Sequence, residues 1–260
     1  MMQKWLVLGG TREARQFIAH WRKDKRVQML ASLKGITHDA APLGVETRLG
    51  GFSDVGEDGQ SRAGDEAMAA FVKTHGFHKI IDLTHPFASQ ISANAKQAST
   101  LADIDYVQFL RAPWQPLEGD YWHYHDDWPS LFETVRTRHL FVAGGHEALE
   151  ALPNDYQGSV TARLIEPPKM ALSELPDTLD IIMGKPAASA QEEEGLFRKY
   201  KITAIAAKLS GGKASSAKLA AARALGLDVH LVNRPAYPEG WFDDMRKMHR
   251  HLSFALGKAS

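Results

Sequence analysis

Apolar residues recur along this chain in two alternating rhythms. Short, nearly continuous runs read as buried strands, and runs spaced three or four residues apart read as helices. Trp5-Leu6-Val7-Leu8 is the first strand, and Ala14, Phe17, Ile18 and Trp21 follow at helical spacing. Val27 to Ser32 and Val45 to Leu49 form the next two strands, and residues 65–75 carry Ala67, Met68, Phe71 and Val72 along one helix side. A strand through Lys79-Ile80-Ile81 into Asp82, a helix through Ala98 and a strand at residues 105–110 complete a first set. The stretch from Arg111 to Pro129 holds three prolines and has no clean period, so it reads as a connection between domains. Strands resume at residues 139–143, 160–165, 179–183, 202–207 and 229–232. The helix from Gln191 to Lys201 starts with three glutamates and ends in basic residues, as the helix dipole favours. This alternation predicts an α/β protein of two Rossmann-like, doubly wound parallel-sheet domains, residues 1–112 and 113–260. His249 and His251, in a tail with amphipathic helical spacing, read as surface residues.

Composition narrows the function classes. The chain has 260 residues, with 31 basic residues against 31 acidic ones. That balance argues against a sequence-independent nucleic-acid binder. The absence of cysteine excludes disulfides and thiolate metal sites. No run approaches the ~18 apolar residues that a membrane crossing needs, and the N-terminal apolar run is too short for a signal peptide. The expectation is a soluble, cytoplasmic protein with neither nucleic-acid nor membrane partners.

Chemistry concentrates where strands stop. Asp82-Leu83-Thr84-His85-Pro86-Phe87-Ala88 puts a carboxylate, a hydroxyl and an imidazole at a strand end before a helix. In open α/β sheets such ends hold ligands. The same residues could instead be a helix cap and satisfied turn groups. Gly9-Gly10-Thr11 sits between the first strand and helix, where backbone amides can meet a phosphate. It is not GxGxxG, because Thr11 and Ala14 fill the second and third glycine positions. NAD-binding folds place an acidic residue at the end of the second strand. Here Ser32-Leu33-Lys34 stands there, a pairing suited to the extra phosphate of NADP, although an exposed loop lysine would look the same. A second turn, Lys208-Leu209-Ser210-Gly211-Gly212-Lys213, precedes a helix ending at Gly226. Lys208, Lys213, Lys218 and Arg223 then surround a helix start as an anion site, or as solvated surface cations. His123-Tyr124-His125-Asp126-Asp127 has metal-like spacing, but it reads as a loop without a third ligand, so no metal is expected.

Together these motifs resemble the precorrin-6A reductase family of cobalamin biosynthesis. The carrying residues are Leu8 to Arg15, Gly50-Gly51-Phe52, Asp82 to Ala88 with Ile91 to Ala95, Arg111-Ala112-Pro113-Trp114, Lys208 to Gly212, Lys218 to Gly226 and Arg234-Pro235. The resemblance implies NADPH in the first domain, a tetrapyrrole (precorrin-6A) in the second, and terminal strands exchanged between the sheets. It implies hydride transfer to a carbon–carbon double bond of the macrocycle, giving precorrin-6B, on a metal-free or a cobalt-containing substrate. Transient contact with neighbouring pathway enzymes goes with that reading. The cofactor set is Gly9, Gly10, Thr11, Arg12, Ser32, Lys34, Gly51, Thr84, His85 and Pro86. The substrate set is Arg111, Arg163, Lys208, Ser210, Gly211, Lys218 and Arg223. His85 is the candidate proton donor. Two rival readings are a nucleotide-sugar or phosphoryl-transfer enzyme, and an NADP-sensing protein without turnover. The former lacks a Walker lysine-threonine pair and an acidic metal cluster.

Overall fold

Most of the apolar runs form strands, and in the first sheet alternate residues of the strands through Trp5, Met29 and Ile81 enter opposite cores. A computed structural model describes residues 2–35, 42–52, 64–168 and 178–258. In the first unit, β1 (Gln3–Leu8), β2 (Val27–Leu33), β3 (Glu46–Leu49), β4 (Lys79–Asp82) and β5 (Asp105–Gln108) make a parallel sheet ordered β3-β2-β1-β4-β5. Trp5 and Val7 face one core with Phe17, Ile18 and Trp21 of α1 (Arg12–Trp21). Leu6 and Leu8 face the other, against Met68 and Val72 of α2 (Gly64–Thr74) and Ala95 and Ala98 of α3 (Ser89–Ala102). Leu8 pairs in register with both Ser32 and Asp82, so three strands end at one level. The order reverses between β1 and β4, which opens a crevice at their carboxyl ends.

In the second unit, β6 (Tyr121–His125), β7 (His139–Ala143), β8 (Ser159–Leu164), β9 (Leu179–Met183), β10 (Ala204–Lys208) and β11 (Asp228–Val232) are ordered β6-β11-β10-β7-β8-β9. All pairs are parallel. Phe197 of α6 (Ala190–Lys199) and Leu219 and Ala221 of α7 (Ala217–Leu225) cover one face. On the remaining elements, α4 (Trp128–Thr134) packs against β6 and β11, and α5 (His146–Glu150) follows β7.

The strand exchange is present. The chain leaves the fifth strand of the first sheet and supplies β6 to the sixth position of the second. After β11 it returns, and Phe242 bridges Phe109 in parallel beside β5. Phe242 donates from its amide to the Gln108 carbonyl at 2.8 Å and accepts from the Leu110 amide at 2.8 Å.

Two expectations need correction. The compact units are 1–111 with 235–260, and 112–234, so the tail does not belong to the second domain. Its helix α8 (Met245–Lys258) buries Met248, Leu252 and Leu256 in the α1 face of the first sheet. His249 is correspondingly not a free surface residue, since its Nδ1 accepts from Trp21 Nε1 at 2.8 Å and its ring stacks on Phe17. The residues around His123 are not a loop but the edge strand β6. Half-exposed aromatic residues hide an edge strand from a reading based on apolar runs, although their β propensity is high. Among the described residues no helix is long and apolar enough to cross a membrane.

Candidate functional site

A cavity of about 540 Å³ lies at the carboxyl ends of β1, β2 and β4, within the usual size range of small-molecule sites. It gathers the glycine turn, the end of β2 and the Thr84 loop from three separated parts of the sequence. Gly9, Gly10, Ser32, Lys34, Gly51, Thr84 and His85, all from the expected cofactor set, line it. Phe87, Gln90, Ile91 and Asn94 add a wall from the start of α3, and no carboxylate is among the described lining residues.

The turn after β1 is built for close approach. Gly9 donates its amide to the Ser32 carbonyl at 3.0 Å, and a Cβ on it would come within 3.1 Å of Leu33 and 3.5 Å of Ala14. Ala14, almost fully buried, therefore does the helix-packing work of the third glycine in a GxGxxG turn. Gly10 has φ of +107°, and a Cβ there would meet nothing within 4 Å. It turns bare backbone toward open space, at a dihedral that L side chains rarely adopt. Thr11, expected at the ligand, caps α1 with its side chain. Its Oγ1 accepts from the Ala14 amide at 3.1 Å and donates to the Leu83 carbonyl at 2.7 Å. Arg12 is exposed in the first turn of α1, and neither it nor Pro86 lines the cavity. The Pro86 carbonyl accepts from the Tyr237 hydroxyl at 3.0 Å, so the returning tail holds this loop.

Beneath the loop, Asp82 is fully buried. It accepts from the Thr84 amide (3.0 Å) and hydroxyl (2.7 Å), the Tyr106 hydroxyl (2.7 Å) and Gln108 Nε2 (3.2 Å). Burial and the adjacent Asp82 push the Tyr106 phenol far up, so it stays a donor. The satisfied-turn reading of Asp82 is thus correct, and Thr84 caps no helix. Because Thr84 donates to Asp82, its oxygen is left as an acceptor, with Ser92 Oγ 3.3 Å away. His85 Nδ1 accepts from the Phe87 amide at 3.2 Å, which puts the proton of the neutral ring on Nε2.

A residue that the sequence reading missed stands behind Ser32. Arg48 Nη1 donates to Ser32 Oγ at 2.9 Å, and Nη2 donates to the Gly51 carbonyl at 2.8 Å. Only the parallel pairing of β2 with β3, which sets Ser32 opposite Arg48, brings the two together.

In the second unit, the turn after β10 is held by motif residues. Arg234 donates to the Leu209 and Ser210 carbonyls at 2.7 and 2.8 Å, and Trp114 Nε1 donates to the Gly212 carbonyl at 2.8 Å. Gly211 has φ of +68°, and a Cβ there would lie 2.1 Å from the Ala112 carbonyl, so no other residue fits. Lys208 pairs with Glu147. Lys218 is buried, with Nζ donating to the Ser215 carbonyl at 2.6 Å and lying 4.8 Å over the Trp114 ring. Arg223 does not join this group. It sits in the last turn of α7 and holds Asp120 at 3.0 and 3.1 Å. Arg163 is likewise occupied, in a buried two-point pair with Glu193 at 2.5 and 2.8 Å. Arg111 belongs to the first unit, where it donates to Glu13 at 3.2 Å. Among the described residues, no group of three or more acidic or histidine side chains could hold a metal ion.

Known proteins resemble this chain in sequence and fold. The family model described as "Precorrin-6x reductase CbiJ/CobK" matches residues 4–253. A precorrin-6A reductase of Sinorhizobium sp. is 38% identical over 88% of this chain and 84% of its own length. That of Rhodococcus erythropolis is 34% identical over 91% of each. A solved CobK precorrin-6A reductase superposes with a TM-score of 0.83 at 31% identity, covering 98% of each chain. With the family model spanning both sheets and the strand-end motifs falling on the cavity and the second glycine turn, the chain belongs to the precorrin-6x reductase CbiJ/CobK family.

Proposed function

We propose that this chain is an oxidoreductase of cobalamin biosynthesis that reduces precorrin-6A to precorrin-6B, with NADPH bound in the cavity of its first unit. The observation that carries the cofactor assignment is the cavity lining: bare backbone at Gly9 and Gly10, Ser32 and Lys34 at the end of β2, and no carboxylate among the described residues there. The amides opening α1 favour a pyrophosphate, and a hydroxyl with a cation favours the 2′-phosphate over a free ribose. When bound, the nicotinamide supplies a hydride to one carbon of the macrocycle double bond, and the neighbouring carbon takes a proton.

The protein's part is position, charge and the proton. Thr84, fixed as an acceptor by Asp82, offers its oxygen to the carboxamide end of the cofactor. His85 is the candidate donor to the second carbon; it takes up a proton to become the imidazolium first, so that it ends the transfer as a neutral ring. The substrate carries many carboxylates, and Lys208, Lys218 and the Ser210–Gly211 turn of the second unit are the groups we assign to them. Arg163 and Arg223 we assign to the fold, because each already holds a carboxylate that is fully or almost fully buried.

Mixing the protein with NADPH and precorrin-6A without oxygen tests the reading. Loss of the NADPH absorbance with gain of two hydrogens by the tetrapyrrole is expected. NADPH binding without turnover of metal-free or cobalt-containing substrate would mark a sensor instead. Turnover of the cobalt form alone would reassign the substrate, and no NADPH binding would refute the cavity assignment.

A further inference from the structure

We propose that Arg48, acting through and beside Ser32, selects a coenzyme with a phosphate on the adenosine 2′-oxygen over one with a free ribose. The inference deepens the NADPH reading of the cavity and rests on it. In a nucleotide-binding sheet the ribose lies at the end of the second strand, where free hydroxyls are met by Asp or Glu. Here that level holds Ser32, only 6% exposed and part of the cavity wall. The neighbouring strand brings Arg48 into register with it, and Nη1 donates to Ser32 Oγ at 2.9 Å. A hydroxyl that accepts from a guanidinium keeps its own proton for another acceptor, and the adjacent cation makes it a stronger donor.

The guanidinium itself is held in place. It donates to the Gly50 and Gly51 carbonyls at 3.3 and 2.8 Å. Its carbon lies 4.0 Å from the centre of the Phe52 ring and 5.3 Å from that of Phe71. Gly50, Gly51 and Phe52 are themselves cavity wall, so the clamp fixes a permanent cation directly behind the lining. With Lys34 on the same wall, the β2–β3 end sets a lining cation and a hydroxyl donor in front of the Arg48 guanidinium. This is the chemistry of a phosphate monoester site, displaced by one strand from the position a sequence reading inspects.

The competing account is that Arg48 only holds the Gly50–Gly51 turn. Calorimetric titration of the full chain with NADPH, NADH, 2′,5′-ADP and ADP separates the two. In Arg48→Gln the amide can still donate to a carbonyl, but the charge is gone. The NADPH-to-NADH affinity ratio should then fall by roughly ten- to a hundred-fold, the range of a lost charge-assisted contact. Affinity for 2′,5′-ADP should fall in parallel while that for ADP moves far less. Arg48→Lys keeps the charge and should retain part of the ratio. Ser32→Ala removes only the hydroxyl and should lower the ratio in the same direction, which keeps the test intact if Arg48→Gln does not fold. Equal weakening of both coenzymes, or an unchanged ratio in Arg48→Gln and Ser32→Ala, overturns the proposal. If the parent protein itself shows no preference for NADPH, the cofactor reading fails; if it prefers NADPH and the variants keep that preference, only the role of Arg48 fails.

Discussion

Asp82 and Arg163 are both charged residues at strand ends, and both turn inward to partners that the sequence does not display. Four donors converge on Asp82, so its contribution to the cavity passes through Thr84. Arg163 has the residue type expected of an anion site. Its side chain is only 9% exposed, however, and its fork is filled by Glu193, which also accepts from the Ala187 amide at 3.2 Å. Removing one member of a buried pair strands the other charge, at a cost of about 3–5 kcal/mol. Arg163→Met should therefore lower stability by that order in urea unfolding, whereas Arg163→Met with Glu193→Leu should recover much of the loss. Tetrapyrrole affinity of the folded double variant should match the parent; a large loss there with normal stability would return Arg163 to the substrate set. The strand-end motifs were legible because strand, glycine turn and helix are contiguous. Arg48 and Glu193 were not, because their partners lie 16 and 30 residues away and meet them only through folding.

At the level of elements, β6 is the piece that the apolar rhythm concealed. Its pairing with β11 sets His123 opposite His230, with ring centres 4.7 Å apart, and His125 Nε2 lies 3.0 Å from His230 Nδ1. Asp228 and Arg138 border the cluster, and His123 Nε2 is 3.2 Å from Asp228. Burial first, and then the neighbouring imidazoles, push His230 down from 6.5 to about 4. His125 is lowered in the same direction, again by burial first. A depressed histidine excludes in the native state a proton that the unfolded chain accepts. Its stabilisation is complete above the unfolded value and is lost as pH falls through the folded one. Stability of the second unit should therefore decline between pH 6.5 and about 4, with His230 contributing at most about 3 kcal/mol. His230→Phe should flatten that acid limb in urea titrations across the window. An acid limb of unchanged steepness in the variant would remove His230 from the account.

The whole molecule is two sheets of one pattern whose sixth positions are exchanged, and the α/β class was legible from alternation alone. The ownership of the tail was not, since an amphipathic helix looks the same whichever sheet it covers. Residues 235–260 complete the first unit with the Phe242 bridge at its edge and with Met248, Leu252 and Leu256 in its core. Tyr237 also holds the Pro86 carbonyl of the cavity loop. Exposing three such buried side chains forfeits on the order of 5–9 kcal/mol, comparable to the whole stability of an ordinary domain. The second unit keeps all six of its strands between Ala112 and Arg234. A chain ended after Arg234 should thus retain a protease-resistant core within residues 112–234, while residues 1–111 are digested and NADPH binding is lost. Supplying residues 235–260 as a separate peptide should protect the first segment and restore binding, because the missing contacts are non-covalent. Full protease resistance of residues 1–111 without the peptide would show that the sheet of the first unit closes its core unaided, and that the returning tail serves only the loop at Pro86.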